Sequence, residues 1–348
     1  MLLIANPGKR LDAFMDAARE LGLEPPRVLH HESLLRSLEP LQRERFDDVR
    51  IDAWGRDLEV ERLLMDLGRE PDGIEARTRE PNELLAPRQV HRGWTRYLND
   101  IGGALEGARL WAPTRTLVEL FDKRITHARL RVAGIPVAES FPVRTLAELR
   151  DGVHQRGWKS AFVKLAFGTS GAGIAVWDIA EDTVQTTVRR QGDRWFNARS
   201  LIQLRDRASI DALFEYILGE GAHIERTVDL ARIEGMRFDL RVLVIAGRPT
   251  FVMGRRSDRV MTNLHLGGAR LQWAQLRSFI PPREWEDAMT IAVNVAKLYD
   301  CHHVGVDIAF DRLSAKPIVV EVNAFGDYLP DVSRDGLSVM AWELRSRV

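Results

Sequence analysis

The segment from Val304 to Asp327 constrains the fold of this chain more than any other stretch. Apolar residues alternate with small or polar ones over residues 304–310, and Ile318, Val320 and Val322 alternate with Val319, Glu321 and Asn323 on the return segment. A period of two is that of a β-strand whose two faces meet different surroundings. The pattern predicts two strands joined by a turn, with their apolar residues on one shared face. That predicted face consists of Val304, Val306, Ile308 and Phe310 on the first strand and Ile318, Val320 and Val322 on the second.

The opposite face of this predicted hairpin carries three oxygen-bearing side chains. If the loop is centred on Ser314, Asp307 lies directly opposite Glu321, and Asn323 lies two residues further along the same face. Facing carboxylates repel each other, so a cation between them explains the arrangement. Hard oxygen ligands without His or Cys favour magnesium, held together with the phosphates of a nucleotide. The alternative is a solvated strand face, which is common on half-exposed sheets.

The composition excludes several classes of protein. With 348 residues, 45% of them hydrophobic, the chain is long enough for two or three globular domains. Fifty basic residues balance fifty acidic ones, so no overall charge favours nucleic acid or an anionic membrane as a partner. Cys301 is the single cysteine, which excludes an intramolecular disulfide. No apolar run approaches the ~20 residues of a membrane span and no signal peptide is recognisable, so we expect a cytoplasmic protein.

Lysine is rare in this chain, and each one is therefore a departure from the background. The sequence has six lysines and 44 arginines. A lysine ammonium is a compact point charge that suits a phosphate oxygen. Lys123 lies in a predicted helix that runs from Pro113 to about Val132, and Lys164 lies in a predicted strand.

A glycine-rich hairpin follows Lys164. Residues 162–177 are predicted to form a strand, a loop and a second strand, because residues 174–177 are β-branched or aromatic and cannot open a Walker or Rossmann helix. The loop is a candidate lid whose backbone N–H groups close over phosphates. The alternative is an ordinary flexible hairpin. The small residues of this loop are Gly168, Thr169, Ser170, Gly171 and Gly173.

The remainder of the chain supplies further polar candidates. Residues 1–111 are predicted to form a small α/β domain, and the Gly8 turn in it lacks the three spaced glycines of a dinucleotide fingerprint. Residues 236–254 are predicted to form a hairpin with Asp239 and Arg241 on one face, followed directly by Arg255. Adjacent His302 and His303 would point to opposite faces of a strand, so we interpret them as structural rather than zinc ligands.

Four blocks of the sequence, taken in order, resemble the ATP-grasp superfamily. The most similar branch is the RimK-like one, which contains the glutamate-adding ligase that modifies a ribosomal protein tail. The resemblance spans about residues 112–329, and as an ordered set the blocks are far more specific than any one of them. The blocks are Asp122-Lys123, then Val163-Lys164 with the loop of residues 168–173, then residues 239–245 with Arg255-Arg256 and residues 263–268, and finally residues 305–308 with residues 320–324.

The resemblance implies a mixed α/β and α+β architecture, the ATP-grasp fold, in which two α+β lobes clamp ATP behind a small N-terminal domain. It divides the chain into an N-terminal domain of residues 1–111, a central region of residues 112–225 with the small lobe and the glycine-rich lid, and a C-terminal lobe of residues 226–348 with the metal site. The implied nucleotide-binding residues are Lys123, Lys164, Gly168, Ser170, Gly171, Gly173, Glu225, Asp239 and Arg241. The implied magnesium ligands are Asp307, Glu321 and Asn323, with Mn²⁺ as an alternative ion, and the implied catalytic residues are Arg255 and Asn263.

The implied activity is ATP-dependent ligation of a carboxylate to an amine through an acyl phosphate, with release of ADP and phosphate. The substrates would be small molecules or peptides. Two departures from the branch lie where the acceptor should bind: Gly254 replaces an acidic residue, and Ala324 to Pro330 replaces a Ser-Pro-Gly turn. Glutamate addition to a protein tail is therefore not part of the activity expected for this chain. Two alternatives stay open, an ATP-grasp kinase of small molecules and a non-catalytic nucleotide-binding subunit.

Overall fold

The structure of the protein is a computed structural model. It describes residues 1–70, 72–168, 171–264, 267–271, 273–327, 329–330 and 332–347, with side chains except at positions 199, 273 and 274. Within these ranges the chain forms three main sheets and a two-stranded ribbon. No helix in these ranges has the length and apolar character needed to cross a bilayer.

The N-terminal part is an α/β layer structure around a parallel four-stranded sheet in the order β2-β1-β3-β4. Its strands are short, and β1 is apolar and buried on both faces, as expected for the middle of a parallel sheet covered by helices. The elements are β1 (Leu2–Ile4), α1 (Lys9–Glu20), β2 (Arg27–Leu29), α2 (His31–Arg36), α3 (Glu39–Arg43), β3 (Asp48–Ile51), α4 (Leu58–Leu67), α5 (Pro87–Ala104) and β4 (Arg109–Leu110).

Two helices, α6 (Thr114–Leu120) and α7 (Lys123–Val132), replace the single helix predicted between Pro113 and Val132. The helix breaks because Asp122 takes an extended conformation and its carboxylate accepts a hydrogen bond from the Arg124 N–H, which caps α7. Lys123 is therefore the first residue of α7 rather than a mid-helix residue. Its own N–H donates to the Ala166 carbonyl at 3.1 Å, which ties the start of α7 to the glycine-rich loop.

The small lobe is an antiparallel sheet in the order β8-β7-β6-β5-β9 with two helices on one face. The predicted hairpin around the glycine-rich loop is confirmed, since β5 and β6 pair from Lys164 opposite Ile174 to Ser160 opposite Asp178. The sequence analysis assigned no element to β7 or β8. The elements are α8 (Leu146–Gln155), β5 (Ser160–Leu165), β6 (Ile174–Asp178), β7 (Thr183–Gln191), β8 (Arg194–Leu204), α9 (Arg207–Gly219) and β9 (Ala222–Arg226).

The C-terminal lobe has a sheet in the order β13-β12-β11-β14-β15, with β10 paired to β11. Helix α11 packs on the apolar face of this sheet through Ala288, Ala292 and Val295. The elements are β10 (Arg232–Ile233), β11 (Met236–Ile245), β12 (Arg248–Ser257), β13 (Ala269–Leu271), α10 (Trp273–Phe279), α11 (Pro282–Leu298), β14 (His303–Phe310) and β15 (Pro317–Asn323).

The predicted hairpin is wrong in one part, because β15 contains a β-bulge. Ile308 pairs with Val319 whereas Asp307 pairs with Glu321, so Val320 is an extra residue between the two pairs. Asp307 does face Glu321 as predicted. The apolar face of β15, however, consists of Val319 and Val322, while Val320 is 40% exposed. The prediction placed Val320 in the core because it assumed uninterrupted alternation.

The chain ends with the hairpin strands β16 (Ser333–Arg334) and β17 (Leu337–Ser338) and with α12 (Val339–Arg345). Helix α12 begins at Val339, directly after this hairpin. Helix α12 returns to the N-terminal part, where Met340 and Leu344 share a core cluster with Phe14 and Trp111. The domain boundaries after residues 111 and 225 stay predictions.

Candidate active site

A large cleft of about 590 Å³ lies where the N-terminal part, the small lobe and the C-terminal lobe meet. This volume is typical of small-molecule sites. Of the predicted site residues, Gly173 is buried and does not line the cleft, and Ser170 lies outside the described residues. The predicted site residues that line the cleft are Lys123, Lys164, Gly168, Gly171, Glu225, Asp239, Arg241, Arg255, Asn263, Asp307, Glu321 and Asn323.

The floor of the cleft is the polar face of the C-terminal sheet, and strand register explains why its side chains meet. Arg241 on β11 pairs with Asp307 on β14, which in turn pairs with Glu321 on β15. In the adjacent row, Asp239 on β11 pairs with Arg255 on β12. Directly paired residues point to the same face of a sheet, so these five side chains form two neighbouring rows on the floor.

The two arginines and two aspartates of these rows form a buried ion-pair network. Arg255 Nε donates to Asp239 Oδ1 at 2.8 Å, and its Nη2 lies 2.9 Å from Asp307 Oδ2. Arg241 donates to both oxygens of Asp307, and Thr262 Oγ1 donates to Asp239 Oδ2 at 2.7 Å. Burial alone would raise the pKa of Asp307, but the charges of Arg241 and Arg255 hold it below its usual value. The network therefore keeps Asp307 ionised.

Arg255 joins the two rows. Although burial opposes its charge, the carboxylates of Asp307 and Asp239 raise the pKa of the Arg255 guanidinium well above its ordinary value. A permanently charged and rigidly held guanidinium on a cleft floor can stabilise negative charge that develops on a bound group. Asn263, the second predicted catalytic residue, lines the same cleft.

Lys123 connects the start of α7 with the C-terminal lobe. Its Nζ lies 3.0 Å from Glu321 Oε1 and also donates to the carbonyl of Gly168. The ammonium therefore contacts both the glycine-rich loop and the predicted magnesium ligand. An incoming phosphate would meet a positive charge placed between these two elements.

Lys164 lies on the opposite wall of the cleft. Its Nζ contacts Glu225 Oε1, and His223 Nε2 donates to Glu225 Oε2 at 3.1 Å. Burial acts to raise the pKa of Glu225, but the Lys164 ammonium lowers it well below its usual value. Register sets this arrangement, because Lys164 on β5 pairs with His223 on β9, and Glu225 follows two residues later on the same face.

Different constraints require glycine at different described positions of the loop. Gly171 and Gly173 have φ angles of +77° and +68°, in the left-handed region that favours glycine. A Cβ on Gly173 would also lie 2.2 Å from Leu165 Cδ1. Gly173 therefore packs beneath the loop, whereas Gly168 and Gly171 line the cleft.

The residues predicted as magnesium ligands carry oxygen donors that suit a hard cation, although Arg241 and Arg255 already contact both oxygens of Asp307. Glu321 offers a carboxylate that is 37% exposed, and Asp307 lies opposite it across the ladder. The side chain of Asn323 lines the cleft, and its buried Nδ2 has no hydrogen-bond partner among the described residues. A donor set of carboxylate and amide oxygens without sulfur or imidazole suits Mg²⁺.

The sequence analysis missed an aromatic wall of the cleft. Trp54 stacks on Phe121 with ring centroids 5.3 Å apart, and Phe121 meets Phe325 edge to face at 5.6 Å. Gly55 and Arg56 line the cleft beside this wall. One signal could have identified the loop, since residues 52–56 follow the carboxyl end of the parallel strand β3, where open α/β sheets bind ligands.

Both departures from the RimK-like pattern have a structural context. A Cβ at Gly254 would lie 2.7 Å from Leu276 Cδ2 and 2.9 Å from Leu271 Cβ, so a larger residue does not fit there. The turn at Phe325 is held from the N-terminal part, since Arg10 donates to the Phe325 carbonyl and to Asp52.

Comparison with known proteins identifies the fold. No protein-family model and no curated protein matches the sequence. Among solved structures, D-cycloserine synthetase DcsG matches with a TM-score of 0.61 and 15% identity over 99% of both chains. The ATP-grasp ligase PsnB, in complex with a phosphomimetic variant of its minimal precursor, Mg and ADP, matches with a TM-score of 0.57 and 14% identity over 100% of this chain and 98% of that chain.

A third structure, the ADP complex of the N5-carboxyaminoimidazole ribonucleotide synthetase PurK, matches with a TM-score of 0.60 and 14% identity. The match covers 99% of this chain and 76% of the synthetase. At identities near 15% a structural match shows the fold and not the activity. The predicted fold class is therefore confirmed, and the chain has the ATP-grasp fold.

Proposed function

We propose that this protein is an ATP- and Mg²⁺-dependent ligase that joins a carboxylate to an amine and releases ADP and phosphate. One observation carries the proposal: on an ATP-grasp fold, a single cleft brings together two lysines, three oxygen donors for a cation and a buried arginine. The similar structures support the class, since they are those of a ligase and two synthetases. The finer RimK-like assignment rests on the sequence blocks alone.

Each residue has a defined part in the proposed reaction. Lys123 and Lys164 would exchange their carboxylate partners, Glu321 and Glu225, for phosphate oxygens of ATP. Gly168 and Gly171 would present backbone groups to the same phosphates. Asp307, Glu321 and Asn323 would hold Mg²⁺, which when bound neutralises phosphate charge. Asp239 and Arg241 would maintain the ion-pair network beneath the nucleotide.

The chemistry proceeds in two displacements. A substrate carboxylate oxygen attacks the γ-phosphorus, a C–O–P linkage forms, and the bond from phosphorus to ADP breaks. An amine then attacks the acyl carbon, a C–N bond forms, phosphate leaves with the C–O bond electrons, and the amine proton passes to solvent. Arg255 would stabilise negative charge in both steps, with Asn263 beside it. No protein nucleophile is required.

The test is nucleotide turnover by the purified protein with Mg²⁺ and ATP against a panel of acids and amines. ADP and phosphate that appear only with a particular acid and amine would establish the ligase, whereas ADP with a phosphorylated product would establish a kinase. AMP as the released nucleotide would contradict both. Nucleotide binding without turnover against the whole panel would favour the non-catalytic alternative.

The Glu321→Ala variant tests the metal assignment within the same assay. Because Glu321 is partly exposed and faces the proposed cation, we expect turnover to fall at least about 100-fold while the fold is retained. The matched control is Glu181→Ala, which removes an exposed carboxylate from the turn after β6 and should leave turnover unchanged. Unchanged activity in Glu321→Ala would contradict the assigned metal ligands.

A further inference from the structure

Three buried side chains behind Lys164 form a cluster that the proposed reaction does not fully use. His127, His223 and Glu225 are 8%, 6% and 6% exposed. One ring nitrogen of each histidine and one carboxylate oxygen of Glu225 all lie within 4.8 Å of one another. Two imidazoles and one carboxylate form a ligand set found in zinc sites, in which the fourth tetrahedral position is open to water.

Independent elements converge to build this cluster. His127 lies one turn after Lys123 on α7, so both side chains extend from the same face of that helix. His223 and Glu225 alternate on β9 and face α7, and the two imidazole rings are 5.0 Å apart. The cluster thus joins α7, which carries one cleft lysine, to the strand that pairs with the other.

A small cavity provides room for an ion. It has a volume of about 30 Å³, enough for one ion or water molecule, and all three side chains border it. Lys123, Lys164 and Glu321 line both this cavity and the main cleft. An ion could therefore enter from the cleft.

The hydrogen bonds around the cluster resemble those that orient metal ligands. His127 Nε2 lies 2.8 Å from the carbonyl of Ala138, which can only accept, so Nε2 carries the proton and Nδ1 has the free electron pair. Among the described residues, the other partner of a nitrogen of this ring is the rotatable hydroxyl of Ser140, 3.0 Å from Nδ1. A ligating histidine commonly donates its second N–H to a backbone carbonyl in this way.

The carboxylate is oriented in the same manner. Lys164 contacts Oε1 of Glu225, which leaves Oε2 for an ion. His223 Nε2 lies 3.1 Å from that oxygen, close to the separation of two ligands that share one tetrahedral ion. For His223 Nε2 to ligate, its proton would move to Nδ1, with no net change in charge.

We propose that His127, His223 and Glu225 bind a divalent transition-metal ion of the Zn²⁺ type, at a site distinct from the oxygen ligands Asp307, Glu321 and Asn323. The bound ion would fix the first turns of α7 against β9 and so hold Lys123 and Lys164 in a constant relation. Nitrogen ligands favour Zn²⁺ and Co²⁺ over Mg²⁺, so the two sites should select different ions.

The test is Co²⁺ binding to the full-length, chelator-treated protein in the presence of excess Mg²⁺. We expect one equivalent of Co²⁺ to give the intense visible absorption of four-coordinate cobalt, and one equivalent of Zn²⁺ to abolish it. His127→Ala and His223→Ala should each lose this absorption. His154→Ala, which removes an exposed histidine from the end of α8, is the matched control and should retain it.

Two further variants separate the possible outcomes. His127→Gln, whose amide can still donate to Ala138, should also lose the absorption, and thermal unfolding without metal would verify that it is folded. Glu321→Ala should keep the absorption although it loses turnover, so this proposal can fail independently of the proposed ligase. No four-coordinate spectrum in the wild type, or a spectrum that persists in both histidine variants, would overturn the site. Loss of the spectrum in Glu321→Ala would place the ion at the oxygen ligands and would also overturn it.

Discussion

Arg255 is the residue on which the electrostatics of the cleft floor depend most. It is 8% exposed, and its guanidinium contacts Asp239 and Asp307 at the same time. Two carboxylates buried this close together can both stay ionised only if positive charge lies between them. Arg241 compensates Asp307 from the other side, but Asp239 has its ion pair with Arg255 alone among the described residues. Loss of Arg255 would therefore leave a buried carboxylate without a counter-ion.

Arg255→Ala should destabilise the protein as well as inactivate it. Breaking one side of a buried ion pair costs about 3–5 kcal/mol because the remaining charge is uncompensated. We expect a decrease of this size in the free energy of unfolding, measured by urea denaturation at neutral pH. The control is Arg312→Ala, which removes an exposed pair with Asp229 and should cost less than about 1 kcal/mol. Equal effects of the two substitutions would contradict the central position given to Arg255.

At the scale of elements, the break between α6 and α7 determines where Lys123 lies. Asp122 caps α7, and the Lys123 N–H is thereby free to bond Ala166 rather than a carbonyl within a continuous helix. The cap is thus a local feature with a consequence for the cleft. Asp206 caps α9 in the same way, through a hydrogen bond from the Ser209 N–H, but far from Lys123 in the chain and outside the cleft lining.

Asp122→Ala should therefore affect both stability and nucleotide affinity. Loss of an N-cap costs about 1 kcal/mol, and fraying of the first turn of α7 would displace Lys123. We expect a modest decrease in thermal stability and a several-fold weaker affinity for Mg–ATP, measured by calorimetry. Asp206→Ala should cause a similar loss of stability with unchanged affinity. If both variants bind nucleotide like the wild type, the cap has no role in positioning Lys123.

The same scale shows which features the sequence could predict. Strand pairs with strong alternation, such as β11 with β12 and β14 with β15, were predicted, and with them the pairing of Asp307 and Glu321. The bulge at Val320 was not predicted. A single extra residue reverses the face to which its neighbours point, and no change in composition signals it. The aromatic wall with Trp54 was also missed, because its rings come from segments that only tertiary packing brings together.

At the scale of the whole molecule, helix α12 stabilises the N-terminal part of the chain. Helix α12 packs Met340 and Leu344 against Phe14 and Trp111, and Glu343 forms a fully buried pair with Arg50 of β3. His303 at the start of β14 is buried beside this pair, and neither of its ring nitrogens has a hydrogen-bond partner among the described residues. The N-terminal part and the C-terminal lobe therefore share a buried polar centre that should unfold as one unit with the adjacent core.

This construction predicts that the protein loses stability in mild acid. Burial lowers the pKa of His31 to about 4 and that of His303 to about 3, so both are neutral in the folded state. In the unfolded chain they would take up protons as the pH falls below about 6.5, and the unfolded state then binds more protons than the folded one. The free energy of unfolding should therefore decrease as the pH falls from about 6.5 toward 4, and should be nearly constant above pH 7.

Each neutral buried histidine contributes a slope of up to about 1.4 kcal/mol per pH unit in this window. Burial also lowers the pKa of His91 and His127 to about 4, so these two residues add to the slope that urea denaturation at several pH values would measure. His303→Leu is the informative variant, because it removes one titrating group without breaking a hydrogen bond among the described residues. It should reduce the slope by up to about 1.4 kcal/mol per pH unit, whereas His154→Ala, at an exposed position, should leave the slope unchanged. Protonation of His303 would also place a second positive charge near Arg50. If the free energy of unfolding stays constant or increases as the pH falls from 6.5 to 4.5, this polar centre is solvated rather than buried.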